Sequence, residues 1–188
     1  ELRMGERVLA RNLCLRVKGS EKISLTGDNG AGKTTLLKTI AAGLLERTDI
    51  KAAYIPQNYT DPEGFGAALQ VTPVEFLADK GDKEENTKIR TYLGSLKFTA
   101  DEMEHSVREL SGGQRAKLLL LRICMSGANV LILDEPTRNF SPLSGPVIRK
   151  MLTEFPGAII SISHDRKYIG EVCEKVYRLT EEGLVLVE

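Results

Sequence analysis

The 188-residue sequence has no excess of either charge, few cysteines and no long apolar run. Lysine plus arginine number 26, and so do aspartate plus glutamate, which excludes a whole-chain basic footprint for nucleic acid, though not a local patch. No apolar stretch approaches the roughly 20 residues of a membrane span, and the amino terminus lacks a signal-peptide pattern. We therefore expect a soluble, cytoplasmic protein without direct membrane insertion.

The three cysteines, Cys14, Cys124 and Cys173, are odd in number and far apart in the chain. Their surroundings are apolar or helical, and their spacing matches neither a disulfide framework nor a metal site. The sequence therefore predicts reduced thiols.

A glycine-rich stretch is the most informative part of the sequence. Residues 27–34 fit the pattern G-x-x-x-x-G-K-[ST] and follow the apolar run at 23–26 directly. In such a loop the glycines bring backbone N–H groups close to phosphate oxygens, and the following helix adds its positive dipole end. Lys33 supplies a charge for the β- and γ-phosphates, and Thr34 can ligate magnesium. The predicted nucleotide-binding residues are Gly27, Asp28, Asn29, Gly30, Ala31, Gly32, Lys33, Thr34 and Thr35.

A glycine-rich turn that binds nothing is the alternative for this stretch. The match at every fixed position, together with the strand before it and the helix after it, disfavours that alternative. We therefore treat residues 27–34 as a phosphate-binding loop.

Polar residues also follow two predicted core strands. Asp134 and Glu135 end the apolar run at 130–133, and His164 follows the run at 158–163. The carboxyl ends of parallel strands face ligands in α/β proteins. Asp134 can hold magnesium through water, Glu135 can polarise an attacking water, and His164 can contact a γ-phosphate.

A second glycine-containing helix start lies at 110–114, which reads Leu-Ser-Gly-Gly-Gln. The free N–H groups of Ser111, Gly112 and Gly113 form an anion site, and a plain helix cap by Ser111 is compatible with that role. The almost continuously apolar run at 116–125 predicts a helix buried on most sides.

The whole pattern predicts an α/β fold: a P-loop NTPase core with a mainly parallel sheet, an N-terminal antiparallel β subdomain and a helical insert. Stretches at 7–10 and 13–17 are the predicted antiparallel strands, and 176–187 forms a closing hairpin. Polar and charged clusters after residue 58 predict a mostly helical subdomain, approximately 60–125, inserted within a domain that spans 1–188.

Together these motifs resemble the nucleotide-binding domain of the ATP-binding cassette (ABC) superfamily. The resemblance spans nearly the whole chain, and Leu-Ser-Gly-Gly-Gln upstream of Leu-Ile-Leu-Asp-Glu-Pro at 131–136 is highly specific. It implies binding and hydrolysis of ATP with Mg²⁺. The residues implied are Glu135, His164 and Gln57 in catalysis, Thr34, Asp134 and Gln57 around magnesium, and the signature Ser111, Gly112, Gly113 and Gln114, which reaches the ATP of a partner cassette in trans.

Two positions depart from the family's pattern. Met4 stands about where the family usually has an aromatic residue that stacks on adenine, so base selectivity is open. After Thr137 the common continuation is Asn-x-Leu-Asp, and here Ser141 replaces the aspartate that communicates between the two sites. We expect altered coupling between those sites.

Other features resemble the soluble ABC-F proteins, which carry two cassettes in one chain and act on ribosomes. These are the Glu-Pro-Thr continuation, Ser-His-Asp-Arg at 163–166 and the short interval between Lys33 and Gln57. The stretch at 54–59 is similar to antibiotic-resistance members. We therefore expect the second cassette of a longer chain, with a partner cassette from the same chain or a homodimer, and with the ribosome as a partner.

Two alternatives stay open. One is the energy-coupling ATPase subunit of a membrane ABC transporter, in which Gln57 and the helical insert dock a membrane subunit. The other is a non-hydrolysing, ATP-binding interaction module, against which the intact Lys33, Asp134, Glu135 and His164 argue.

Overall fold

The computed structural model describes residues 1–57, 68–138 and 140–187. By their contacts, these residues divide into two compact units. The first comprises the described parts of 1–57, 127–138 and 151–188, and the second those of 58–126 and 139–150. The start of the predicted helical insert, the end of the 54–59 stretch and Asn139 lie outside the described residues.

A six-stranded sheet lies at the centre of the first unit, with strand order β4-β5-β6-β3-β7-β8. Every neighbouring pair is parallel except β7 and β8, which form the predicted closing hairpin. Strands β3, β5 and β6 are buried along most of their length, as their continuous apolar runs require. The strands are β3 (Lys22–Thr26), β4 (Ala52–Ile55), β5 (Val130–Asp134), β6 (Ala158–Ile162), β7 (Lys175–Thr180) and β8 (Gly183–Leu186).

The antiparallel N-terminal sheet has two strands, β1 (Leu2–Met4) and β2 (Arg7–Ala10). Gly5, at φ +61°, allows the tight turn between them. The prediction of a strand at 13–17 is wrong, because β2 pairs with β1 and these residues form no strand. Leu13, Leu15 and Val17 instead pack half-buried against the core, which explains their alternating apolar pattern.

The core of the first unit lies between this sheet and helix α1 (Lys33–Leu45). Leu37 of α1 packs fully buried in the same cluster as Ile23, Leu25 and Ile132 of the sheet. Since α1 follows β3 through the glycine-rich loop, this packing fixes the loop at the carboxyl edge of the sheet. Helix α7 (Arg166–Val172) also belongs to this unit, and Asp165 caps it as its sequence predicts. Helix α6 (Gly145–Thr153) is divided between the units, with residues 145–150 in the second.

The second unit is helical, and a side-chain cap begins each of the four described α-helices that lie wholly within it. The helix α5 is buried or half-buried except at Met125, as predicted. The helices are α2 (Pro73–Leu77), α3 (Lys83–Ser95), α4 (Ala100–Glu104) and α5 (Gly112–Met125), with a 3₁₀ turn at Val107–Glu109. The predicted fold class, a mainly parallel sheet with a small antiparallel sheet and added helices, is thus confirmed.

All three cysteines are free thiols. Burial raises the pKa of Cys124 to about 12 and that of Cys173 to about 11. Both side chains therefore stay protonated, which makes them poor nucleophiles at neutral pH. In the ranges that the structure describes, no helix is long and apolar enough to cross a membrane.

Two glycine-to-alanine changes should act in opposite directions on stability. A Cβ at Gly157 would clash with the Asn129 carbonyl oxygen, whereas a Cβ at Gly43, inside α1, would meet no atom of the described residues within 4 Å outside the backbone of its own helix. We expect Gly157→Ala to lower the free energy of unfolding by about 1–3 kcal/mol through overpacking. Gly43→Ala should raise it by about 1 kcal/mol through helix propensity. Urea denaturation measures both, and equal effects would contradict this packing.

Candidate nucleotide site

A cavity of about 790 Å³ lies at the carboxyl edge of the sheet in the first unit. Residues that follow the ends of β3, β4, β5 and β6 meet in its wall, as expected for a parallel sheet. Of the predicted residues it brings together Asn29, Gly30, Gly32, Lys33, Thr34, Thr35, Gln57, Asp134, Glu135 and His164. Gly27, Asp28 and Ala31 are absent from the described lining of this cavity.

The loop conformation depends on its glycines. Gly27, Gly30 and Gly32 have φ angles of 141°, 79° and 96°, which favour glycine. A Cβ on Gly27 would lie 2.9 Å from the Leu179 carbonyl oxygen, and one on Gly32 would lie 2.7 Å from Leu9 Cδ1. Gly32 is also the N-cap of α1 and brings no capping side chain, so the first N–H groups of the helix stay available to an anion.

The ammonium of Lys33 lies against the glycine-rich loop. Its Nζ donates to the carbonyl oxygens of Gly27 at 2.8 Å and Asp28 at 3.0 Å. This places one positive charge beside the exposed amides of the loop. Arg178 of β7 pairs with Asp28 at 3.2 Å and ties the far side of the loop to the sheet.

Asp134 ends β5 and is only 2% exposed. Burial raises the pKa of its carboxyl group, while a hydrogen bond with Thr34 and the charges of Lys38 and Lys33 act in the opposite direction. A hydroxyl and a carboxylate in contact supply the hard oxygen ligands that Mg²⁺ prefers. The pair therefore forms the natural metal-binding corner of the cavity.

Glu135 has a positive φ of 54°, which is rare for a residue other than glycine. Its N–H donates to the Ile162 carbonyl oxygen at 2.9 Å, and its carboxylate accepts the His164 N–H at 3.4 Å. His164 Nε2 lies 3.6 Å from Glu135 Oε1. The strained backbone thus turns the Glu135 side chain toward β6 and His164.

Burial raises the pKa of the Glu135 carboxyl group, and the contact with His164 opposes this shift. A carboxylate that is poorly solvated and held beside a histidine is suited to polarise water. Backbone strain at a residue that lines such a cavity is typical of functional sites.

The cavity also contains residues that the sequence reasoning missed, among them Leu9, Thr137 and Arg138. The charge of Arg138 lowers the pKa of Glu135, against the effect of burial. The feature of the sequence that could have identified Arg138 is its positive charge three positions after Glu135. Met4, the predicted base-contacting residue, lines the cavity and is 58% exposed.

The predicted signature residues belong to the second unit and are absent from the described lining of this cavity. Ser111 caps α5: its Oγ accepts the Gln114 N–H at 3.3 Å, and Gln114 Oε1 accepts the Ser111 N–H at 2.8 Å. Ser141 lies in the second unit too, with its Oγ 3.1 Å from Ser144 Oγ.

This fold and this site define a P-loop nucleotide-binding domain, and comparison with known proteins narrows the class. The sequence profile described as "ABC transporter" matches residues 10–138. The chain therefore belongs to the ABC transporter family, which confirms the resemblance of its motifs.

Three relatives illustrate where the similarity lies. The chain is 31% identical to the probable ATP-binding protein YheS of Escherichia coli over 92% of its own length, and 34% identical to the putative ATP-binding protein YdiF of Bacillus subtilis over 87%. It is 28% identical to ABC transporter F family member 2 of Arabidopsis thaliana over 96%. It spans only 28%, 26% and 27% of those proteins, respectively.

Solved structures support the same fold. The dimeric ATP-binding cassette MJ0796, in a post-hydrolysis state bound to ADP and Pi, superimposes with a TM-score of 0.70 at 20% identity. The match covers 97% of this chain and 91% of that one. A second dimeric structure of MJ0796, titled a bacterial ABC transporter cassette, also gives a TM-score of 0.70. The chain thus has the cassette fold.

The raised pKa of Glu135 predicts a pH-dependent change in stability for Glu135→Gln. A carboxyl group whose pKa is raised on folding stabilises the fold below its unfolded pKa, about 4.3, and loses that contribution as pH rises through its folded pKa. Glutamine cannot ionise, so we expect Glu135→Gln to unfold at higher urea concentration at pH 7. This gain should shrink toward pH 4.

The matched control is Glu182→Gln, which removes a charge at an exposed site. It should show no comparable gain at pH 7. A Glu135→Gln variant less stable than the wild type at pH 7 would contradict the cost assigned to burial of this carboxylate.

Proposed function

We propose that this chain is an ATP-hydrolysing cassette of a longer, two-cassette ABC-F protein that acts on the ribosome. In this proposal residues 1–188 form one ABC-type domain, with its helical subdomain within about 60–125. The observation that carries the proposal is the single cavity that contains Lys33, Thr34, Asp134, Glu135 and His164.

The loop and its lysine account for nucleotide binding. The amides at the start of α1 and the ammonium of Lys33 point to one anion site, which suits the β- and γ-phosphates of ATP. Met4 packs against the base as an adaptable apolar side chain, with weaker selectivity than an aromatic ring provides.

The oxygen ligands of the cavity fit a magnesium ion. Thr34 would ligate it directly, and Asp134 and Gln57 would hold it through water or at its edge. When bound, the ion neutralises charge on the phosphate oxygens. The low exposure of Asp134 supports this assignment, because a buried carboxylate needs a compensating cation.

Glu135 is the residue we assign to polarisation of the attacking water. His164 holds the Glu135 carboxylate and reaches toward the γ-phosphate, and Gln57 orients the water from the end of β4. The strained φ of Glu135 supports the assignment, since it directs the carboxylate into the shared cavity.

A partner cassette completes the site in trans. Its Ser111, Gly112, Gly113 and Gln114 would approach the γ-phosphate held by this chain, as a second helix start directed at an anion. The dimeric state of MJ0796 supports such a pair. The partner is the other cassette of the same parent chain or a second copy, and Ser141 alters the coupling between the two sites.

The cellular role rests on the relatives. Similarity to ABC transporter F family members, together with Ser-His-Asp-Arg at 163–166, supports a cytoplasmic role on the ribosome, in translation or in antibiotic resistance by ribosome protection. A membrane subunit of a transporter is the competing partner, and cosedimentation with ribosomes or copurification with a membrane subunit distinguishes the two.

Lys33→Ala should weaken MgATP binding by about 1.5–3 kcal/mol, because it removes a charged hydrogen-bond donor from the phosphates. Isothermal calorimetry measures this change. Lys18→Ala, at an exposed lysine outside the cavity, serves as the control and should bind like the wild type. Unchanged affinity in Lys33→Ala would exclude this loop as the phosphate site.

The ribosomal role predicts ATP-dependent association of the full-length protein with ribosomes. Glu135→Gln slows hydrolysis and should prolong the ATP-bound state, so this variant should cosediment with ribosomes when ATP is present and leave them when it is absent. Adding Lys33→Ala should abolish cosedimentation. Copurification with an integral membrane subunit, without ribosome association, would instead identify a transporter.

A further inference from the structure

A chain of hydrogen bonds in the second unit joins helix α4 to the start of α5. Gln114 Nε2 donates to Glu102 Oε1 at 2.6 Å, and Gln114 Oε1 accepts the Ser111 N–H at 2.8 Å. The Ser111 Oγ in turn accepts the backbone N–H of Gln114 at 3.3 Å. Ser111 is thus connected to Glu102 through one amide side chain.

Glu102 determines the orientation of the Gln114 side-chain amide. A carboxylate only accepts hydrogen bonds, so the Gln114 group that faces it must be the NH₂. The carbonyl oxygen of Gln114 is then the group left for the Ser111 N–H. A flipped amide would place two acceptors together at Glu102 and two donors together at Ser111.

Glu102 itself has little freedom to move. Its second oxygen, Oε2, accepts the Thr99 N–H at 2.8 Å and completes the capping box of α4. The hydrogen bond from the Thr99 N–H lowers the pKa of Glu102, and the charge of the buried Lys117, whose Nζ donates to the Leu96 carbonyl oxygen at 2.9 Å, adds a smaller effect in the same direction. Each oxygen of the Glu102 carboxylate therefore accepts a hydrogen bond from a different group.

Ser111 is located by two hydrogen bonds with Gln114, one through its backbone N–H and one through its hydroxyl oxygen. Its hydroxyl oxygen accepts the backbone N–H of Gln114, and the part of the chain that the structure describes shows no hydrogen bond donated by this hydroxyl. Ser111 is exposed, so the proton is available to an incoming phosphate oxygen.

We propose that Glu102 is a positioning residue for the signature: by fixing the Gln114 amide it holds the backbone of Ser111, and with it the hydroxyl group, in place to donate to the nucleotide of the partner cassette. This inference rests on the proposed function, in which Ser111 acts in trans. Glu102, in α4, would thus affect ATP hydrolysis without contacting a phosphate group.

The test uses the full-length protein with Ser111→Ala, Glu102→Gln, Gln114→Glu and the exchanged pair Glu102→Gln with Gln114→Glu. Either single exchange breaks the donor–acceptor order. Glu102→Gln leaves one acceptor oxygen for two donors, the Thr99 N–H and the Gln114 NH₂, and Gln114→Glu puts two carboxylates at the 2.6 Å contact. The exchanged pair restores it, because the amide at 102 donates to the carboxylate at 114, which still accepts the Ser111 N–H.

We expect each single exchange to lower kcat for ATP by about tenfold, the size of one lost charge-assisted hydrogen bond in the transition state. The exchanged pair should recover most of this loss. ATP affinity at the chain's own loop should stay unchanged, and thermal unfolding midpoints identify any variant that merely loses stability.

The experiment distinguishes failure of the proposed trans role of the signature from failure of the role assigned to Glu102. If Ser111→Ala hydrolyses ATP like the wild type, the proposed trans role of the signature is wrong. If Ser111→Ala lowers kcat but the exchanged pair is no more active than the single exchanges, the role of Glu102 is wrong. Wild-type kcat in both single exchanges would also overturn it.

Discussion

The structure depends above all on the burial of a carboxylate, that of Asp134, at the carboxyl end of a central strand. Removing such a group from water is unfavourable unless hydrogen bonds and positive charge compensate for it. Thr34 and two lysines of α1 supply that compensation, and they are in place because α1 packs on the same sheet. Because β3, β6 and β5 are parallel neighbours, the start of α1 and the carboxylates of Asp134 and Glu135 lie at the same edge of the sheet.

The loop and its surroundings constrain each other through close contacts. Gly27 lies too close to the backbone of β7, and Gly32 too close to Leu9 of β2, for either to carry a side chain. The small N-terminal sheet is thus part of the loop's support. Glu135 shows the complementary case, in which a residue with a full side chain keeps a positive φ because the Ile162 carbonyl oxygen holds its N–H.

The second glycine-containing helix start, that of α5, is stabilised in a different way. Where the phosphate loop leaves its first amides without a capping side chain, α5 begins with a complete capping box whose glutamine is held by a residue of another helix. One helix start is thus built around glycine alone and the other around a polar network. The second arrangement holds the hydroxyl oxygen of Ser111 at the start of the helix, and glycine has no such group.

The sequence by itself determined the features whose physical cause is local. The loop at 27–34, the caps at Ser111 and Asp165, and the acids after β5 follow from backbone preferences and from continuous apolar runs. Only the tertiary structure decided which strand pairs with β2, because the alternation at 13–17 reports a half-buried face and not a pairing partner. The strained backbone of Glu135, the place of Arg138 in the cavity and the contact between Glu102 and Gln114 likewise depend on packing between segments that no local pattern encodes.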